Sequence, residues 1–300
     1  MIGGVVEVAE DGRYLRKERG FLVAMDDQQE LARIPKDEIE ALVLSANQTT
    51  ISKNLLVSLA DQGSITLLTG ANYAPAAMVV PIASGVATTG HPEDQLGASK
   101  SLKKRLWQQL VQQKIKHQSL VLQLAGETTQ AKHLNAMAGR VLSGDPDNLE
   151  AQAARAYFPA LFGKKFKRNR NESGINAALN YGYAILRSAC ARGLYATGLH
   201  PAIGIHHQSR RNPLCLADDL IELFRPLVDN LVFGLEEFED LTPEVKAKLV
   251  SVLQVDMLQG EYVSPVTIAI NRTAVSLARC LRDKTPKISL PHMTHQGQLF

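Results

Sequence analysis

Residues 204–229, GIHHQSRRNPLCLADDLIELFRPLVD, gather the side chains best suited to do chemistry. His206 and His207 lie in a segment punctuated by Gly, Asn and Pro, which reads as a loop, and a helix is expected from about Leu216. On that helix Asp218 and Glu222 are spaced i,i+4 and Asp219 and Glu222 i,i+3, so three carboxylates crowd one face. Like charges at that spacing repel, and no lysine is inserted among them. Something positive is therefore required. A divalent cation is the economical answer, with Arg225 one turn further on as the alternative. On this reading, removing any one carboxylate relieves repulsion. The plain alternative is a solvated acidic helix face with surface histidines.

A second acid stands apart in SGDPDNLEAQAARAYF. Asp145 reads as an N-cap and Pro146 as the first helical residue, which puts Glu150 in the second turn. An acid near a helix start is stabilised by the macrodipole alone. The setting of Glu150 is what distinguishes it: Ala151, Ala153, Ala154 and Ala156 are small enough to let another element approach closely. One histidine with two or three carboxylates makes a hard, oxygen-dominated donor set, better suited to Mg²⁺ or Mn²⁺ than to zinc. Such a site does phosphoryl chemistry, polarising a phosphodiester and activating a water or hydroxyl. His292 and His295 have no nearby acid and read as solvated tail residues.

Basic clusters fit a nucleic-acid substrate. Lys164, Lys165, Lys167, Arg168 and Arg170 put five cations within seven residues, directly after the Glu150 helix. Residues 95–126 hold no acid but do hold Lys100, Lys103, Lys104, Arg105, Lys114 and Lys116. Stripes of this kind bind phosphate backbones, although for the second one a solvated helix face is the simpler reading. Aromatic residues are only 5% of the chain, which argues against base stacking as the dominant contact.

These side chains need a scaffold, and the patterning supplies one of α+β class. Residues 1–85 read as a small β-rich, sandwich-like domain: Val5–Ala9, an Asp11-Gly12 hairpin signal, Phe21–Met25, Glu40–Ser45 and Ser64–Thr69 are strand candidates, with one helix at Lys53–Gln62 capped by Ser52. The uncharged, Gly/Thr-rich composition between Pro81 and Pro92 marks a linker, set at 86–95. Residues 96–300 read as an all-α catalytic domain, with helices expected at Ala98–Leu124, Asn176–Ala196, Ala217–Asn230, Pro243–Leu258 and Val266–Leu281. Charge divides the same way. Residues 1–90 carry 7 Lys/Arg against 11 Asp/Glu, and residues 91–300 carry 26 against 19, so an anionic partner is expected for the second part. The longest apolar stretch, about a dozen residues broken by Pro81, is too short to cross a bilayer. The N-terminus lacks the basic and apolar regions of a secretory signal, and Cys190, Cys215 and Cys280 form no CxxC pair. No membrane partner is expected, and a reduced, cytoplasmic location is.

Residues 170–207, RNESGINAALNYGYAILRSACARGLYATGLHPAIGIHH, followed by LADDLIELFRPLVD, resemble the CRISPR-associated integrase of spacer acquisition, the universal first subunit of the adaptation complex. That family pairs a β-domain with a helical catalytic domain. It carries a glutamate on an early helix, a histidine in a Gly-x-x-His loop and an acid in a Leu-x-x-Asp-Leu-x-Glu-x-Phe-Arg-Pro helix. Glu150 matches the first element, His207 (three after Gly204) the second, and residues 216–226 the third. The resemblance spans about residues 1–290 and is strongest over 145–232. The stretch from Ala46 to Pro81 and the chain length look most like the branch associated with single-effector (type II) systems.

The resemblance implies Glu150, His207 and Glu222 as ligands of Mg²⁺ or Mn²⁺, with Asp219 close by as a fourth catalytic residue. His206 is a rival ligand. Lys164, Lys165, Lys167, Arg168, Arg170 and Arg225 are the expected DNA contacts. The implied activity is a metal-dependent DNA integrase and endonuclease. A captured fragment's 3′-hydroxyl attacks a phosphodiester at the edge of a CRISPR repeat, so the partner is double-stranded DNA. The implied assembly is a homodimer joined through the β-domain. Two such dimers bracket a dimer of a small ferredoxin-like second subunit in a heterohexamer. Two other readings compete: a stand-alone metal-dependent repair nuclease, and a non-catalytic nucleic-acid-binding scaffold. Convergence of Glu150, His207 and Glu222 on one point separates the enzymes from the scaffold.

Overall fold

The computed structural model describes residues 5–27, 29–39, 41–70, 75–79, 90–169, 172–235, 238 and 240–294. The chain divides into two compact units, Met1–Ala87 and Thr88–Phe300. Arg170, His295 and residues 86–89 of the expected linker lie outside the described residues. From Pro92 the remainder of that linker is already helical.

In the first unit, strands β1 (Val5–Val8), β5 (Ala41–Leu44), β7 (Ile65–Thr69) and β8 (Pro75–Val79) form one sheet in that order. Strands β4 (Gln29–Pro35), β3 (Phe21–Asp26), β2 (Arg13–Glu18) and β6 (Thr49–Ile51) form a second. Helix α1 (Lys53–Asp61) starts where the Ser52 side chain accepts the Leu55 amide. Its Leu55 and Leu59 join Val6, Val8, Leu15, Leu22, Ile39, Leu42 and Leu44 in one core. The Asp11-Gly12 signal does not make a hairpin. β1 pairs in parallel with β5, and β2 pairs instead with β3. The turn is held across the unit, where Gln48 donates to the Asp11 carboxylate and accepts from the Gly12 amide, both at 2.8 Å.

The second unit is mainly helical: α2 (Pro92–Gly97), α3 (Lys100–Leu124), α4 (Thr128–Arg140), α5 (Leu149–Phe162), α6 (Ile175–Ala196), α7 (Cys215–Ile221), α8 (Arg225–Phe233), α9 (Pro243–Val250) and α10 (Val266–Arg282). It is not all-α. The helix expected over 243–258 ends at Val250, and β9 (Asp256–Gln259), β10 (Tyr262–Pro265) and β11 (His292–Met293) form a small antiparallel sheet around the Gly260 turn. The helix expected over 217–230 breaks at 222–224. Pro226 has no amide to offer the carbonyl of Glu222, and its ring crowds that carbonyl, so the chain restarts as α8.

Helix α3 is the spine. Its buried stripe includes Leu106, Trp107, Leu110, Val111, Ile115 and, in phase with them, Lys114 and His117. Fully buried His117 donates from Nδ1 to the Leu223 carbonyl at 2.8 Å, and its Nε2 receives the Met293 amide at 3.2 Å and the Gln113 side chain at 2.8 Å. One imidazole thus ties β11 to the chain break beside Glu222. Burial lowers the His117 pKa to about 4, whereas an unfolded histidine titrates near 6.5. The unfolded chain therefore binds the extra proton between those values, and stability falls as pH drops through that window. Buried Asp229, raised to about 6 by burial, acts in the opposite sense, so the informative quantity is a difference. Relative to His117→Gln, the wild type is expected to lose on the order of 3 kcal/mol between pH 6.5 and 4 in urea unfolding. A pH-independent difference would contradict this.

Candidate active site

Three segments meet on α3. The first is the start of α5. Residues 145–148 form a turn closed by Asn148 N–H to the Asp145 carbonyl at 3.0 Å, so Pro146 belongs to the turn and Asn148 is the N-cap. Asp145 caps from outside, accepting the Leu149 and Glu150 amides at 2.8 and 3.0 Å. Glu150 is consequently in the first turn, not the second.

The second segment is the loop 204–207. Asp219, with no solvent exposure, accepts the amides of Ile205 (2.7 Å), His206 (3.1 Å) and His207 (2.9 Å), and His207 Nδ1 at 2.8 Å. That hydrogen bond raises the His207 pKa against the opposing effect of burial. The Gly-x-x-His spacing has a steric cause. A Cβ on Gly204 would lie 2.2 Å from the His207 carbonyl oxygen and 3.0 Å from Asp219 Oδ2. His206 turns elsewhere, stacking on Trp107 with ring centroids 4.1 Å apart and planes within 6°, while His207 meets the same indole edge-on. Burial lowers the His206 pKa.

The third segment is the α7–α8 break carrying Glu222. Lys114 reaches both glutamates, 2.6 Å from Glu150 Oε1 and 2.5 Å from Glu222 Oε2. Arg225 Nε lies 3.1 Å from Glu222 Oε1, and its guanidinium sits 4.8 Å from the Tyr183 ring centroid. Burial works against ionisation of Glu222, but Arg225 and Lys114 outweigh it and hold its pKa below the usual carboxylate range. Tyr183 donates in turn to Asp229.

The unrelieved repulsion among carboxylates expected from sequence is therefore absent. Each acid has its own partner: Asp218 is bound bidentately by Arg187 of α6, Asp219 by the loop, and Glu222 by Lys114 and Arg225. Losing a carboxylate here strands a cation or an amide and relieves no repulsion. Lys114, read from sequence as part of a solvated basic face, is in the site with its side chain only 8% exposed. Of the expected DNA contacts, Lys164, Lys165 and Lys167 are exposed, while Arg168 binds Asn176 and Asn180, and Arg225 is committed to Glu222 and Tyr183.

Two of the three expected ligands, Glu150 and Glu222, thus converge on one point, where a lysine ammonium stands, while His207 is paired with Asp219. Among the described residues no three His, Cys, Asp or Glu side chains are grouped to hold a metal ion. The donors nevertheless suit a divalent cation in kind. Two carboxylate oxygens already share one compact positive charge, and His207 Nδ1 on Asp219 fixes the tautomer in which Nε2 can coordinate.

The family model for CRISPR associated protein Cas1 matches residues 6–247. The chain belongs to the Cas1 family. It is 39% identical over 266 residues to the CRISPR-associated endonuclease Cas1 of Neisseria meningitidis serogroup C (strain 8013), covering 87% of each chain. In fold it is similar to a casposase bound to integration product, with TM-score 0.80, 18% identity, and coverage of 99% of this chain and 95% of that one. It is also similar to a chain of a Cas6-RT-Cas1–Cas2 complex, with TM-score 0.71, 18% identity, and coverage of 95% and 35%. Within this Cas1 chain, Trp107 and Arg187 are site residues that the sequence reading did not single out, and Lys114 is one that it assigned to a surface face. For Lys114 a signal existed: it falls i+4 from Leu110 and i+3 from Val111, inside the apolar stripe of its helix. Among the described residues, no helix is long and apolar enough to cross a membrane.

Proposed function

We propose that this chain is a divalent-metal-dependent DNA endonuclease and integrase that inserts captured fragments into a CRISPR array by attack of a 3′-hydroxyl on a phosphodiester. The observation that carries the reading is the convergence of Glu150 and Glu222 on one cation beside the loop that Asp219 folds around His207. Family membership and the similarity to a curated Cas1 endonuclease support the reaction class. Glu150, His207 and Glu222 would hold Mg²⁺ or Mn²⁺, which when bound polarises the phosphodiester and lowers the pKa of a bound water or hydroxyl. The protein's own part is positional. Asp219 fixes the His207 ring, Trp107 holds His206 aside, and Arg225 orients Glu222. Lys164, Lys165 and Lys167, which are exposed, would meet the phosphate backbone of duplex DNA.

The proposed assembly is a homodimer through the β-rich unit, whose sheets end at strands β1, β8, β4 and β6, edges that a second copy can pair with or cover. Two dimers with the small second adaptation subunit would complete a heterohexamer. The similarity to a Cas1–Cas2 complex chain supports that partner. The test is strand transfer into a supercoiled plasmid carrying a repeat, in Mn²⁺ and with the second subunit. Joined products are expected from fragments ending in a 3′-hydroxyl, and none from dideoxy-terminated fragments or with EDTA. Cleavage without joining would favour the repair-nuclease reading, and no chemistry at all the scaffold.

A further inference from the structure

Lys114 is unusual among the cations of this unit. It sits in the apolar stripe of α3, and its ammonium faces two carboxylates contributed by different segments, Glu150 of α5 and Glu222 at the α7–α8 break. Burying an ammonium costs several kcal/mol and is offset only by close, well-aligned anions. A purely structural lysine needs one such anion. Here a compact point charge bridges two, which is the task of a divalent cation at a carboxylate site. Arg225 balances the second negative charge from the far side of Glu222. The four groups, Lys114, Arg225, Glu150 and Glu222, are therefore neutral together without any metal, so a divalent ion entering between the glutamates meets a position already electrostatically filled.

The geometry points to Lys114 as a resident counter-cation that keeps Glu150 and Glu222 in register in the metal-free protein and competes with the divalent ion for the same oxygens. This rests on the metal-site reading above and adds to it a residue that sets how readily the site loads. The ammonium must withdraw for the ion to bind both carboxylates. Apparent metal affinity is therefore the intrinsic affinity reduced by the strength of the lysine bridge.

The experiment is Mn²⁺ titration calorimetry and thermal melting of the wild-type protein, Lys114→Met and Lys114→Gln, with Glu222→Gln as the ligand-loss control. Lys114→Met is expected to bind Mn²⁺ at least about tenfold more tightly than wild type, since the competing charge is gone. Its metal-free melting temperature should fall, and Mn²⁺ should raise it by more than it raises that of the wild type. Lys114→Gln should move in the same direction by less. Variants that fold only when Mn²⁺ is present would also support the proposal, because the ion then replaces the ammonium. Equal or weaker Mn²⁺ binding in Lys114→Met, with binding intact in wild type, would overturn the proposal and leave the metal site standing. Variants that stay unfolded even in Mn²⁺ would overturn it as well, showing a structural lysine. Absence of Mn²⁺ binding in every protein tested would remove the metal site itself and this inference with it.

Discussion

Glu222→Ala is expected to abolish both cleavage and strand transfer and, in addition, to lower folding stability by about 3–5 kcal/mol, the range for breaking a buried ion pair from one side. The second effect follows from the partners of Glu222. Lys114 and Arg225 both face it, and removing it leaves Arg225 against the Tyr183 ring without its ion-pair carboxylate and Lys114 with Glu150 alone. Glu222→Gln keeps the shape and should recover part of the stability but none of the activity. Glu150→Ala should lose activity equally while costing less stability, because Glu150 is more exposed and shares only Lys114. DNA binding should survive in all three, since exposed Lys164, Lys165 and Lys167 are untouched. Urea unfolding and a plasmid-nicking assay, run side by side, separate the two effects. A Glu222→Ala protein as stable as wild type would show that the ion chain contributes nothing to the fold.

Asp219→Ala is expected to be nearly as damaging by a different route. Asp219 accepts four hydrogen bonds without exposure to solvent, three of them from consecutive backbone amides. An acceptor lost from a buried amide costs about 1–3 kcal/mol, so a total loss on the order of 4 kcal/mol is reasonable after local rearrangement. The loop that presents His207 then has no fixed path, and the imidazole loses the partner that sets its tautomer. Loss of such a supporting carboxylate lowers metal affinity or activity roughly 10–100-fold. Melting temperature and the cleavage rate with saturating Mn²⁺ should both fall. Asp219→Asn offers an amide N–H toward groups that are themselves donors, so it should rescue only a fraction. Wild-type cleavage in Asp219→Ala would mean the loop is held by something other than this carboxylate.

Much of this protein could be read from the order of its residues. The change from short strand-like runs to long helical periods placed β structure before residue 85 and helices after it. Ser52 caps α1, as local hydrogen bonding requires. Gly204, His207, Asp219 and Glu222 fall within 19 consecutive residues, so their association is local and their spacing visible. Local chemistry also misled. Asp11-Gly12 has the composition of a hairpin turn, yet its flanking strands enter different sheets, because strand pairing is decided by long-range burial of Val6, Val8 and Leu15. The run of acids in 218–222 has the composition of a repulsive patch, yet each member is neutralised by a different partner: Asp218 by Arg187, Asp219 by the loop amides, and Glu222 by Lys114 and Arg225.

Which charges neutralise those acids was settled by long-range packing. Lys114, which Glu222 shares with Glu150 of α5, comes from α3, and Arg187 comes from α6. A lysine's sequence neighbours show whether it lies on an apolar stripe, but not which carboxylate the packing of another helix will bring to it. Coulomb energy depends on distance in space and on the exclusion of water, and both are set when α3, α5 and the α7–α8 break pack together. The residue types at the site were determined by the sequence. Their pairing was determined by the fold.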